Sequence, residues 1–192
     1  YLAATNQVNY LLWMFNSLFT FVGIGATAVV ARFIGAGQRS AANRTMHQAL
    51  LAGALIYLFG RDLLAALQLS PEATDLAINY LSIIVPVLPL VMLEQVGNAC
   101  LRGAGDTVTG LVAMTITAVL EASIGSALML GWGPFPKLGW QGIAYATAIS
   151  YGVGGLIIAA ALARGRYGLK FRRRFFRPNI DLLRRILRIG IP

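Results

Sequence analysis

Two carboxylates and a small set of hydroxyl and amide side chains stand inside apolar runs of this chain. Glu121 lies in a run from 108 to 130, with Thr117 and Gly125 one helical turn away on either side and Ala118 and Ala122 close by. A carboxylate on a small, polar helix face is suited to hold a proton or a cation. An acid inside a membrane segment is costly enough to call for a function, the structural alternative being a buried acid bonded to a neighbouring helix. Glu94 and Asn98 share a second face at i, i+4. Glu94 precedes Arg102 by eight residues, about 12 Å along a helix, within range of a basic partner at that end. Thr147, with Tyr145 and Ser150, supplies hydroxyls to a later run, where such groups ordinarily bond backbone or join helices.

Other chemistry is not encoded in recognisable form. The lone His47 has no partner at metal-ligand spacing and reads as a polar interfacial residue. Cys100 reads as an inert small residue near a helix end. No Ser/His/Asp set stands out, nor a phosphate loop followed by Lys, so the chain reads as a non-enzyme with no cofactor and no metal.

The elements that must position these residues are membrane helices. Hydrophobic residues make up 57% of the chain and charged residues 12%, with a mean hydropathy of +0.69. A soluble domain carries about 25% charge. The runs are too long and too uniformly apolar for β-strands of a barrel. Five transmembrane helices fit residues 7–30, 46–67, 76–99, 108–130 and 142–163, an all-α polytopic bundle. The second is marginal: its apolar part, 49–59, covers about 16 Å of a hydrocarbon core of about 30 Å, and the full span includes Arg61 and Asp62. Ser70-Pro71-Glu72 reads as a helix start. Pro86 and Pro89 should bend the third span. Residues 131–137 form a Gly/Pro turn with aromatic side chains. A basic linker covers 164–181, and an amphipathic helix opens over 182–192, read as interfacial and leading into a further span. The chain reads as a fragment of a longer protein.

Two short turns punctuate the runs. Arg102-Gly103-Ala104-Gly105-Asp106 is the clearer one, and Arg32-Phe33-Ile34-Gly35-Ala36-Gly37 echoes it. They read as structural hinges, with an Arg102–Asp106 pair expected across the first. With five spans, stretches 32–44, 102–107 and 164–188 share one side, and of the 16 Lys and Arg residues all but Arg61 and Lys137 fall there. Positive charge gathers on the cytoplasmic side, so these stretches are expected in the cytoplasm, with the basic tail touching anionic lipid and no nucleic-acid role.

Leu101-Arg102-Gly103-Ala104-Gly105-Asp106-Thr107, together with Ala26–Arg32 before Gly35-Ala36-Gly37, resembles the multidrug and toxic compound extrusion transporters. Residues 131–139 and the closing 183–192 add to the likeness, which covers nearly the whole chain in order. The resemblance implies a twelve-helix antiporter of two six-helix lobes in the plasma (inner) membrane. Such a protein exports drugs or organic cations against H⁺ or Na⁺, and partners with lipid and its own second lobe. This chain would be helices two to six of the first lobe and the start of helix seven. The family's frequent Asn-x-x-x-Asp on the fifth helix falls on Glu121 and Gly125, so the acid is displaced by one turn. A sixth-helix Thr near that site matches Thr147. Gly110 stands where Pro is usual, and the second span is some eight or nine residues shorter than is common. The rival readings are a lipid-linked oligosaccharide flippase of the same superfamily, which would need cationic cavity residues, and a truncated membrane protein that does not transport.

Overall fold

The apolar runs fold as long helices laid back and forth. The structure, a computed structural model, describes residues 2–66, 82–132, 136–165, 168–170, 175 and 177–190; for 2–12, 14, 15, 57, 59–66 and 140 this means the backbone alone. Ser70-Pro71-Glu72, the expected start of the third span at 76–81, residues 133–135, and Arg166, Arg172, Arg173 and Arg174 lie outside the described residues, as do the side chains of Arg61 and Asp62. The elements are α1 (Leu2–Gly35), α2 (Arg39–Ala66), a 3₁₀ turn (Val85–Val87), α3 (Leu88–Gly103), α4 (Thr107–Leu130), α5 (Trp140–Arg164) and α6 (Ile180–Gly190). No strand occurs among the described residues. Pro86 sits inside the 3₁₀ turn and Pro89 at the second position of α3, so the break falls where proline removes the helical donors.

The two Arg/Gly turns are tighter than the sequence suggested. The expected basic loop 32–44 is mostly helix: Arg32 lies in the last turn of α1, and Arg39 and Arg44 lie in the first turns of α2. Gly37, at φ +73°, reverses the chain at once, while the amides of Ala36 and Gln38 bond back to the carbonyls of Arg32 and Phe33. Gly105, at φ +96°, does the same after α3. There Asp106 is the N-cap of α4: its Oδ1 accepts from the Thr109 amide at 3.0 Å and its Oδ2 from the Thr109 hydroxyl at 2.7 Å.

Among the described residues, four helical stretches are long and apolar enough to cross a membrane: Asn16–Gly35, Ser82–Gly103, Thr107–Leu130 and Gln141–Arg164. The core between them is formed by Phe19, Val22, Met46, Val96, Leu101, Ile158 and Leu162, with Cys100 buried among them. Helix α4 packs chiefly on α5, α5 also on α3, and α1 on both α2 and α3. The far side of α4 exposes Leu111, Met114 and Val119, a face that only apolar surroundings could cover without cost.

Helix α2 is not among those four stretches, although its 28 residues extend about 42 Å. Its first half is polar yet buried: Asn43, Thr45, His47 and Gln48 are at most 6% exposed. The basic linker explains this. Asn43 donates to the Gly168 carbonyl at 3.3 Å and accepts from the Lys170 amide at 3.1 Å. Gln48 donates to the carbonyls of Phe175 and Arg177 at 3.0 and 2.9 Å and accepts from the Asn179 amide at 2.9 Å. The His47 ring, bonded at Nδ1 to the Asn43 carbonyl at 2.7 Å, meets Phe175 edge-on at 5.7 Å. His47 is therefore buried against the linker. Buried backbone groups require partners, and these side chains supply them to the linker backbone at Gly168, Lys170, Phe175, Arg177 and Asn179.

Asn179 then caps α6 through the Leu182 amide at 3.0 Å. Helix α6 turns Ile186 inward and lies against α1 so closely that a Cβ on Gly25 would overlap the Ile186 carbonyl, and one on Gly190 the Phe21 carbonyl.

Two outcomes follow. Asp106→Ala removes two bonds to a buried carboxylate and should cost about 2 kcal/mol, read as a lower thermal midpoint of the purified protein. Gln48→Ala removes three bonds of about 1 kcal/mol each, so tryptic cleavage of the Arg174-Phe175 bond should accelerate at least tenfold, with a ceiling of about a hundredfold.

Candidate functional site

Helices α3, α4 and α5 bring the polar residues of three apolar runs together. Glu121 on α4 and Thr147 on α5, 26 residues apart in the chain, meet across the helix pair: the Thr147 hydroxyl donates to Glu121 Oε1 at 3.1 Å. Both are half-buried, so this carboxylate is not sealed in. Gly125, one turn further along α4, lies against the Ala146 methyl, and such small contacts let the two helices approach.

One turn the other way, Thr117 is buried and donates to Glu94 Oε1 on α3 at 3.0 Å, with the Ser150 carbonyl of α5 a further 3.4 Å acceptor. The sequence suggested a basic partner for Glu94. The partner the structure gives it is Thr117, so Glu94 points into the α4–α5 face. Gly154 makes room for it: a Cβ there would overlap Thr117 Oγ1 and crowd Glu94 Oε2. The Glu121 carboxylate is near enough to repel that of Glu94.

Asn98 continues the α3 face one turn toward the hinge. It is buried with its Oδ1 against Gly110 of α4, so close that no Cβ fits there. A proline at 110, the residue the family resemblance leads one to expect, has no space beside this asparagine. Among the described residues, the buried side-chain polar atoms left without a hydrogen-bond partner are Glu94 Oε2, Asn98 Oδ1 and Ser150 Oγ. All three are oxygens, and all belong to this one cluster.

The predicted hinge residues lie apart from it. Gly103 packs on the Thr27 backbone, Asp106 caps α4, and Gly35, Gly37 and Gly105 serve the turns. Arg102 borders an open groove of about 360 Å³ between α1 and α3, with Thr20, Gly23, Thr27 and Gln95. No group of three or more His, Cys, Asp or Glu placed to hold a metal occurs among the described residues.

Thr117, Ser150 and Gly154 carry more of the site than the sequence reading gave them. A signal existed for the first: Thr117 is eleven residues past Asp106 and Glu94 eight before Arg102, about 16 and 12 Å from the same turn, so neighbouring antiparallel helices set them side by side.

The arrangement has known relatives. Residues 1–126 match the MatE family. A probable multidrug resistance protein of Bacillus subtilis, YoeA, is 26% identical over a stretch covering 99% of this chain and 43% of that protein. An inward-facing structure of a multidrug resistance MATE family transporter of the MOP superfamily superposes with a TM-score of 0.79 at 28% identity, covering 98% of this chain and 44% of that one. An outward-facing structure of such a transporter gives the same TM-score at 27% identity, covering 100% of this chain and 44% of that one. The chain thus spans less than half the length of the relatives it matches. A family match over residues 1–126, joined to a bundle of apolar helices that fits solved transporters almost end to end, shows that this chain belongs to the MatE family, the multidrug and toxic compound extrusion transporters.

Proposed function

We propose that this chain is the first-lobe part of a cation-coupled antiporter that exports drugs or organic cations across the plasma (inner) membrane. Glu121 is its coupling carboxylate and H⁺ or Na⁺ its coupling ion. The observation that carries this reading is the Thr147–Glu121 hydrogen bond of 3.1 Å, which puts an ionisable group in a partly open position between two apolar helices. Glu121 lies 15 residues past Asp106, about 22 Å from the turn and so past the middle of a hydrocarbon core of about 30 Å. An acid at that depth changes the relative stability of two conformations when it gains or loses a cation.

The equal fit to inward- and outward-facing relatives supports a lobe that moves as one body while its surroundings rearrange. The turn at 36–38, the turn at 104–106 and the basic linker face the cytoplasm, by the distribution of Lys and Arg. Lipid and the second lobe cover the exposed apolar faces, the linker ends at 181 and the second lobe opens at 182. The carrier needs no cofactor or metal beyond the coupling ion and makes or breaks no covalent bond of its cargo. The described side chains around the site are carboxylates, hydroxyls and an amide, which suits a cationic cargo better than the pyrophosphate of a lipid-linked sugar.

In the full-length protein, Glu121→Gln should reduce drug efflux about tenfold or more and flatten its dependence on pH or Na⁺. Unchanged efflux across pH and Na⁺ would remove Glu121 from the mechanism. Thr147→Val removes one hydrogen bond to a charged group and should weaken the apparent affinity for the coupling cation about tenfold, with a smaller effect at saturating cation.

A further inference from the structure

We propose that Glu94 is a second protonatable carboxylate of the site, and that it relays a proton between Glu121 and the Arg102–Asp106 end of the bundle, with Thr117 as its positioning residue. This rests on the reading of Glu121 as the coupling carboxylate and goes beyond it by naming the ion and its path.

Glu94 is 4% exposed, and its two oxygens are treated differently. Oε1 accepts from Thr117 at 3.0 Å, whereas Oε2 is buried with no partner. The groups that face it are few. Helix α4 presents Thr117 and Glu121, and α5 presents Ser150 and Gly154. Among the described side chains, α1 and α2 approach α3 through Gly23, Thr27 and Gly53, and the 3₁₀ turn is Val-Pro-Val; none of these titrates. No cationic side chain bonds Glu94 among the described residues, and a full negative charge without partners is far costlier to bury than a neutral carboxyl.

The crowding selects the ion. A Cβ at Gly154 would overlap Thr117 Oγ1 and press on Glu94 Oε2, and a Cβ at Gly110 would overlap Asn98 Oδ1. A metal cation needs several oxygens arranged around it, at about 2.3–2.6 Å for a calcium-sized ion. A proton needs one lone pair, and Oε2 has it free.

Position gives the path. Counted from the turn, Glu94 lies at about 12 Å, Thr117 at about 16 Å and Glu121 at about 22 Å. Asn98, one turn nearer the hinge on the α3 face, adds a further free oxygen on that side. In the step itself Glu121 gives up its carboxylic proton and becomes a carboxylate, while Glu94 takes the proton on Oε2 and becomes neutral. Glu94 then releases it to water at the hinge end.

The test uses the full-length transporter in proteoliposomes, following drug movement and internal pH after a pH jump, with infrared difference spectra of the carboxyl band. Glu94→Gln should slow coupled proton movement about tenfold or more and remove one titrating carboxyl band, while Glu94→Asp restores the rate to within about threefold. Thr117→Val should shift the pH at half-maximal rate, a change that a packing defect alone does not produce. Wild-type coupling and an unchanged pH profile in Glu94→Gln would overturn the relay and leave the Glu121 reading intact. Wild-type behaviour of Glu121→Gln would instead overturn that reading. Transport by the unmodified protein that follows Na⁺ and ignores pH would overturn the relay while leaving Glu121 as a sodium-coupling group.

Discussion

One hydroxyl joins three helices. Thr117, buried on α4, donates to Glu94 of α3 and lies within reach of the Ser150 carbonyl of α5. Among apolar helices dispersion alone leaves rotation and register loosely set, because the apolar side chains of neighbouring helices are nearly interchangeable contacts. A buried polar contact is not interchangeable: displaced by one turn it leaves its partners without bonds. Thr117 therefore fixes how α4 is turned against both neighbours, and Glu121 follows, since it stands one turn along on the same face. The Thr147–Glu121 contact is the second point of the same seam. Small residues complete it, with Gly154 yielding the volume that the Glu94 carboxylate fills.

Much of this was legible in the sequence because helix geometry converts residue counts into distances. The expected spans 108–130 and 142–163 fall within two residues of α4 and α5. The Arg/Gly turns were legible as turns, and counting from one of them placed Glu121 deep in its span, while the family resemblance brought Thr147 to it, where the structure joins them. Less legible was which of two uses a polar residue would have. Asp106 was read by spacing as a mate for Arg102, and that reading did not reveal that its carboxylate also serves the first turn of α4, where backbone donors would otherwise lack partners. Glu94 could look toward the basic hinge or into the bundle, and the deciding feature was a glycine on another helix, 60 residues away in the chain.

Helix α2 was the hardest element to read, for a related reason. Its apolar stretch is short and its first half carries Arg39, Asn43, Arg44, His47 and Gln48. Hydropathy treats such residues as a burden. In the folded chain Asn43 and Gln48 are instead bonding partners for the backbone of the basic linker, and His47 is packed with them. No local pattern announces this, because the groups that Asn43 and Gln48 bond are backbone amides and carbonyls, which every sequence has. The same bonds anchor the linker close to the bundle and start α6 where its backbone can settle on Gly25 of α1.

That attachment has a consequence for biosynthesis. The partners of Asn43 and Gln48 lie 125 to 131 residues further along the chain. At about 5–20 residues per second, the ribosome takes roughly 6–26 s to produce them after α2 has been made. During that interval α2 has its apolar half to hold it and a polar half without its bonding partners, while α3, α4 and α5 are delivered in turn. The marginal helix therefore reaches its final setting last, when the linker emerges and closes over it. The order of assembly is thus inverted relative to the order of synthesis: α2 is made before α3, α4 and α5 and finished after them.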